Sequence, residues 1–233
     1  MKIVVINGTE VKGCTYRIKE IFLSVLKKGN EIIEFYLPKD MPHFCIGCKT
    51  CFFKSENLCP HAEYVMPIWN EILKADLLVF AAPVYALSIP AQMKALLDHL
   101  CCHWMVHRPE KAMFTKCAVI LTNSIGASNR KAQKDIATSL KWLGVSDVSC
   151  LGFGLMEGVV WEKLSDKRKN KIKRKVESHA KKFVLFKPGR KRLTVKVLFF
   201  ICKMIHIGLL KKEEIPSADN QHWIDNGWIK DKV

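Results

Sequence analysis

The chain has 233 residues, 49% of them hydrophobic and 26% charged, with a formal net charge of +16 at pH 7. That is enough apolar content for one α/β domain with a tail, and the start MKIVVINGTE reads as a strand and turn. It lacks the cationic segment, apolar stretch and cleavage site of a secretion signal, so a cytoplasmic location is expected, with the ten cysteines in reducing surroundings.

In chain order, apolar runs at 2–6, 31–37, 76–82, 117–122 and 147–154 alternate with helical patterns at 15–28, 61–74, 90–104, 128–143 and 161–186. This alternation predicts a five-stranded parallel sheet covered by helices on both faces. The near-continuous Val/Ile/Leu content of the first, third and fourth runs predicts strands buried on both sides. In such sheets ligands bind beyond the carboxyl ends of the strands, which directs attention to the loops there.

After the first strand comes Asn7-Gly8-Thr9-Glu10-Val11-Lys12-Gly13-Cys14-Thr15-Tyr16-Arg17. Two glycines, hydroxyls and a lysine at a helix start suit an anion, because backbone N–H groups and the helix dipole both face it. The run matches neither G-x-G-x-x-G nor G-x-x-x-x-G-K-[ST], and an ordinary βα turn with Thr15 as helix N-cap is the alternative.

Between the second strand and the next helix lie Cys45, Cys48, Cys51 and Cys59-Pro60. The C-x2-C-x2-C triplet suits an iron-sulfur cube, with Cys59 completing the set. A tetrahedral zinc, with His61 as a substitute ligand, and unmetallated thiols are the other readings. His43 and His61 flank this loop. Cys14, Cys117, Cys150 and Cys202 sit in or beside apolar runs and read as small buried residues, with adjacent Cys101 and Cys102 also structural. His99, His103 and His107 recur every four residues and read as a stripe on a helix surface, with a substrate opening or a metal site as the alternative.

After the third strand comes Ala82-Pro83-Val84-Tyr85-Ala86-Leu87-Ser88-Ile89-Pro90, and the following helix carries Lys94 and Asp98. Here residues 1–155 resemble the flavodoxin-like NAD(P)H-dependent FMN reductases, whose third strand ends in a Pro-x-Tyr turn. With the cysteine loop, the chain resembles the iron-sulfur flavoproteins more specifically, and the tail ADNQHWIDNGW is similar to the ending of clostridial-type members.

The resemblance implies a flavodoxin-like doubly wound sheet and a set of ligands. Thr9, Lys12, Gly13, Cys14 and Thr15 would surround the FMN phosphate. Pro83, Val84, Tyr85, Ala86, Leu87 and Ser88 would line the isoalloxazine, and Thr122, Asn123, Ser124 and Gly126 would close its other edge. Cys45, Cys48, Cys51 and Cys59 would hold a [4Fe-4S] cluster. Family members carry Ser-Pro-Arg in the phosphate loop where this chain has Thr9-Glu10-Val11. The arginine is missing and Glu10 brings a negative charge, so Lys12 or Arg17 would have to substitute. Tyr85 reads as a flavin wall, with a packed turn aromatic as the alternative, and no catalytic acid or base is expected.

The expected organisation is a flavodoxin-like FMN-binding domain over 1–186, with the cysteine loop at 43–61, and a helical extension over 187–233. Lys163 to Arg192 forms a basic stretch without a nucleic-acid motif, which reads as a solvated helix face able to attract acidic electron-transfer proteins. Leu193 to Leu210 is apolar but broken by Lys196, Lys203 and His206. It reads as an amphipathic helix covering a second subunit in a homodimer or higher homo-oligomer, with an anionic membrane surface as the other choice.

The expected function is an FMN-dependent oxidoreductase moving electrons between NAD(P)H or a reduced carrier and a small-molecule or protein acceptor through FMN and a [4Fe-4S] cluster. The alternatives are a cluster-free NAD(P)H-dependent FMN, quinone or nitro reductase, and a non-enzymatic electron carrier or nucleic-acid-associated module.

Overall fold

A computed structural model describes residues 1–155, 160–185 and 192–231. In chain order the elements are β1 (Lys2–Asn7), α1 (Cys14–Leu26), β2 (Glu31–Tyr36), the single turn α2 (Thr50–Phe53), α3 (Ala62–Lys74) and β3 (Leu77–Pro83). There follow α4 (Ala91–His99), β4 (Cys117–Ser124), α5 (Arg130–Trp142), β5 (Asp147–Gly154), α6 (Asp166–Val184), α7 (Leu193–Leu210) and α8 (Ala218–Asp225). The strands are parallel in the order β2-β1-β3-β4-β5, the flavodoxin-like arrangement, and every predicted strand is present.

Alternation along the three inner strands divides the apolar residues between two cores, because successive side chains point to opposite faces. Ile3, Val5, Leu77, Val79, Val119 and Leu121 face α1 and α6. Val4, Ile6, Leu78, Phe80, Ala118 and Ile120 face α3, α4 and α5. All seven residues of β3 are buried, as a continuous apolar run between two helical layers requires.

The helix expected over 90–104 ends at His99 and tightens into a 3-10 turn over Leu100–His103. Leu100, Cys102 and Met105 are buried there, and Met105 N donates to Trp142 O at 2.6 Å, so the chain dives into the core instead of running on along the surface. His99, His103 and His107 consequently do not form a surface stripe: the first two are buried and the third lies beyond the helix. Cys150, read as buried, is exposed on the edge strand β5, whereas Cys14, Cys117 and Cys202 are buried.

Residues 193–231 join the second of these cores. Val195, Cys202, Leu210, Trp223 and Ile229 are buried in it. Trp223 stacks on Phe199 and His206 with centroids at 5.1 and 4.4 Å, and its indole N–H donates to His107 O at 2.7 Å. Truncating so buried a tryptophan typically costs about 3–5 kcal/mol. The domain boundary expected at 186–187 lies outside the described residues.

Candidate functional site

The loops after β1, β3 and β4 meet at the carboxyl edge of the sheet. Gly8 N donates to Ala81 O at 2.8 Å, and a Cβ on Gly8 would stand 3.1 Å from both Ala82 Cβ and Met93 Cε. A larger residue would therefore crowd the first loop against β3 unless Ala82 and Met93 gave way by a few tenths of an ångström. The loop folds on itself through Val11 N to Thr9 Oγ1 at 3.2 Å and Gly13 N to Val11 O at 2.9 Å.

Gly13 is the N-cap of α1, with no capping side chain and no acidic residue in the first turn. The positive end of the helix dipole therefore meets no capping side chain and favours an anion. Thr15 is not the N-cap; its hydroxyl donates to Asn123 Oδ1 and ties α1 to the end of β4. Thr9, Gly13, Cys14 and Thr15 share one cavity with Pro83, Val84 and Tyr85 and with Asn123 and Ser124. Val11 and Ile125 also line it, and neither is among the expected ligands.

The other expected positions lie outside this lining. Lys12 places its ammonium 5.8 Å from the Tyr16 ring centroid. Thr122 is fully buried and accepts from Gln133 Nε2 at 2.9 Å, and Gly126 is exposed. Ser88 donates to Asp135 Oδ2 at 2.6 Å and accepts from Lys131 at 2.9 Å. Glu10, the expected source of repulsion, accepts from Lys39 N at 3.1 Å, and Arg17 pairs with Glu162 at 3.3 Å.

Ala86 and Leu87 form the tip of a tight hairpin closed by Tyr85 N to Ser88 O at 3.0 Å and Ser88 N to Tyr85 O at 2.9 Å. Their φ values are +47° and +63°, positive at both central positions where glycine or asparagine is usual. Backbone strain is thus stored beside the cavity, in two residues that are themselves exposed.

The cysteine loop bends over the start of α3. Gly47 at φ +67° and Lys49 at φ +62° reverse the chain on either side of Cys48. Cys45, Cys48, Cys51 and Cys59 all line one cavity, together with His61, His99, Cys102 and His103. The Thr50 hydroxyl, helped by Thr50 N–H, lowers the Cys48 thiol pKa, whereas burial raises that of Cys51. Cys102 was read as purely structural, but it borders the Cys51 thiol, and burial pushes its own pKa strongly up.

A row of imidazoles borders the same cavity. His43 stacks on His61 at 4.7 Å, and His61 Nδ1 lies 3.0 Å from His99 Nε2. His99 Nδ1 is fixed by Ala95 O at 2.7 Å, while Cys59 Sγ and the two ring nitrogens lie within 4.8 Å of one another. His103 stacks on Trp69 at 4.1 Å, burial lowers its pKa to about 4, and its Nε2 is buried without a protein partner.

Arg108, which the sequence places only beside the histidine series, holds the loop from behind. Nη1 donates to Phe52 O at 3.4 Å, and Nη2 donates to Cys51 O and to Glu56 Oε2 at 3.2 Å. Nη1 also reaches Asp219 Oδ1 of α8 at 2.8 Å. One buried guanidinium fork therefore joins the cysteine loop to the C-terminal helix.

Residues 1–157 match the family described as NADPH-dependent FMN reductase. An iron-sulfur flavoprotein of Archaeoglobus fulgidus is 26% identical over 233 residues, covering 98% of this chain and 100% of that one. An FMN-dependent NADH:quinone oxidoreductase of Coprothermobacter proteolyticus is 28% identical over 187 residues, covering 72% and 91%. Among solved structures, an NAD(P)H:quinone oxidoreductase from Methanothermobacter marburgensis superposes with a TM-score of 0.60 at 18% identity, covering 80% and 98%.

Proposed function

The chain belongs to the NADPH-dependent FMN reductase family and is an NAD(P)H-dependent FMN oxidoreductase; from that premise we propose that it also carries a [4Fe-4S] cluster on Cys45, Cys48, Cys51 and Cys59. It would pass electrons between NAD(P)H or a reduced carrier and an acceptor. Bound in these two places, FMN supplies two-electron acceptance with one-electron release, and a cluster supplies one-electron storage.

The residues at the sheet edge fit the flavin. The first turn of α1, with no capping side chain, offers the positive end of its dipole to a phosphate, and Glu10 is engaged elsewhere by Lys39 N. Pro83, Val84 and Tyr85 would bound one side of the ring, and Asn123 and Ser124 the other. Backbone and hydroxyl groups suffice for this, so no dedicated acid or base is assigned.

The observation that carries the cluster is the convergence of all four cysteines on one cavity, which is also lined by His103, whose buried Nε2 has no protein partner. A thiolate donor set of this kind suits iron and sulfide, and a histidine N–H beside it suits cluster sulfur. A second reading has one specific support: Cys59, His61 and His99 stand close enough to hold a single zinc ion.

The test is iron, sulfide, zinc and FMN per chain on protein purified without oxygen, with Cys48→Ala in parallel. About four irons per chain, lost in the variant, carry the proposal. FMN with zinc, or with no metal, would leave a cluster-free FMN reductase.

A further inference from the structure

Helix α7 has two apolar faces, and the fold uses only one. On the inner face Val195, Cys202, His206 and Leu210 are buried. His206 Nδ1 lies 2.7 Å from Asn220 Oδ1 and Nε2 3.2 Å from Val106 O, so the helix is keyed in place by buried polar bonds. Crossing a membrane would break those bonds, and 18 residues span only about 27 Å against a hydrocarbon core of about 30 Å.

The outer face is a continuous strip of Val197, Phe200, Ile201, Met204, Ile205 and Leu209, each between 43% and 62% exposed. Their spacing puts them on one side of the helix without a charged residue between them. Lys196 and Lys203 run along its edge and pair with no carboxylate among the described residues; Lys211 and Lys212 follow its end. Beside Phe200 opens a groove of about 410 Å³, with Phe114, Phe199 and Trp228 in its wall and Lys111, Lys196 and Lys203 around it.

We propose that this face docks on an anionic phospholipid bilayer, with α7 lying in the plane of the interface. The strip would enter the acyl region, the lysines would meet lipid phosphates, and the apolar groove with its cationic surround would take part of one lipid. Charge decides the occupant. A second copy would bring another +16 to the same place, whereas an anionic bilayer is complementary to it. Apolar contact and charge therefore point to the same partner.

The test is density-gradient flotation of the full chain with vesicles of phosphatidylcholine alone and vesicles rich in phosphatidylglycerol. Flotation with the anionic vesicles only, weakened by salt, is expected. Met204→Ser with Ile201→Ser abolishes it, and Lys196→Glu with Lys203→Glu lowers apparent affinity about tenfold or more, both with unchanged thermal melting because Lys196, Ile201 and Met204 are exposed and Lys203 is only half-buried. No flotation, or equal flotation with both vesicles, overturns the proposal. So does a dimer in analytical ultracentrifugation that Met204→Ser splits, which would assign the face to a second copy.

Discussion

Arg108 Nη1 donates to Asp219 Oδ1 at 2.8 Å, linking residues 111 positions apart and closing the C-terminal helix onto the cysteine loop. The guanidinium side chain is 7% exposed and Asp219 is 19% exposed. The pair is therefore shielded, and its other donors fix the backbone at Cys51 and Phe52. His107 Nδ1, 2.8 Å from Asp219 Oδ2, holds the same carboxylate from its other oxygen.

Asp219→Asn keeps the shape of that contact and removes its charge. Two consequences are expected: a stability loss of about 1–3 kcal/mol in urea unfolding, and less iron per chain after identical anaerobic purification. An unchanged urea midpoint with full iron would show that the tail does not support the loop.

Lys19 is an amine with no exposed side-chain surface, held by Glu34 Oε2 at 2.5 Å, Glu20 Oε1 at 2.9 Å and the Tyr36 hydroxyl at 3.1 Å. Burial favours its neutral form, but the hydrogen bonds to Glu34, Glu20 and Tyr36 prevail and raise its pKa above the usual 10.5. Burial also opposes ionisation of Glu34, yet the bonds from Lys19 and Asn7 hold its pKa below the usual 4.5. The pair thus stabilises the fold fully between those two ordinary values. The contribution of Glu34 is lost as pH falls through its lowered folded value, and that of Lys19 as pH rises through its raised one. Glu34→Gln should cost about 2–3 kcal/mol at neutral pH and flatten the acid limb of a stability–pH profile measured by urea unfolding. A variant with the wild-type acid limb would locate the acid sensitivity elsewhere.

How far the sequence could be read depended on the range of the interactions. Strands from 2–6 to 147–154 were legible because period-2 burial and Val/Ile/Leu runs are local signals. The cysteine loop was legible from spacing alone. Arg108 was not, since its partners Cys51, Glu56 and Asp219 lie 57, 52 and 111 residues away and no local pattern marks such a residue. Nor were His99 and Cys102, whose placement depends on the helix ending at His99 so that Met105 can be buried. Thr15 looked like an N-cap because hydroxyls at helix starts usually are, until Asn123 arrived from β4 as a competing partner.

That Thr15–Asn123 contact predicts how the flavin cavity is kept in shape. Thr15→Val should weaken FMN binding about tenfold, read as flavin fluorescence quenching on titration into apoprotein, because it frees both the α1 start and the β4 end. Glu10→Gln should shift the same titration less than about twofold, since Glu10 already faces Lys39 N and any change is confined to weak exposed electrostatics. A large gain on Glu10→Gln would mean that its carboxylate does reach the phosphate.

The hairpin tip at Ala86–Leu87 gives the sharpest contrast between stability and function. Leu87 is 65% exposed, so little packing compensates for its φ of +63°. Glycine removes the left-handed cost of roughly 1–2 kcal/mol but adds unfolded-chain entropy of about 0.5–1 kcal/mol. Leu87→Gly should therefore stabilise the protein by about 0.5–1 kcal/mol, a rise in Tm of about 2 °C for a domain of this size. The same change loosens the turn that sets Tyr85 against the cavity, so FMN affinity should fall several-fold even as Tm rises. If stability and FMN affinity rose together, the strain would be an incidental feature of the turn, and Tyr85 would need no such support.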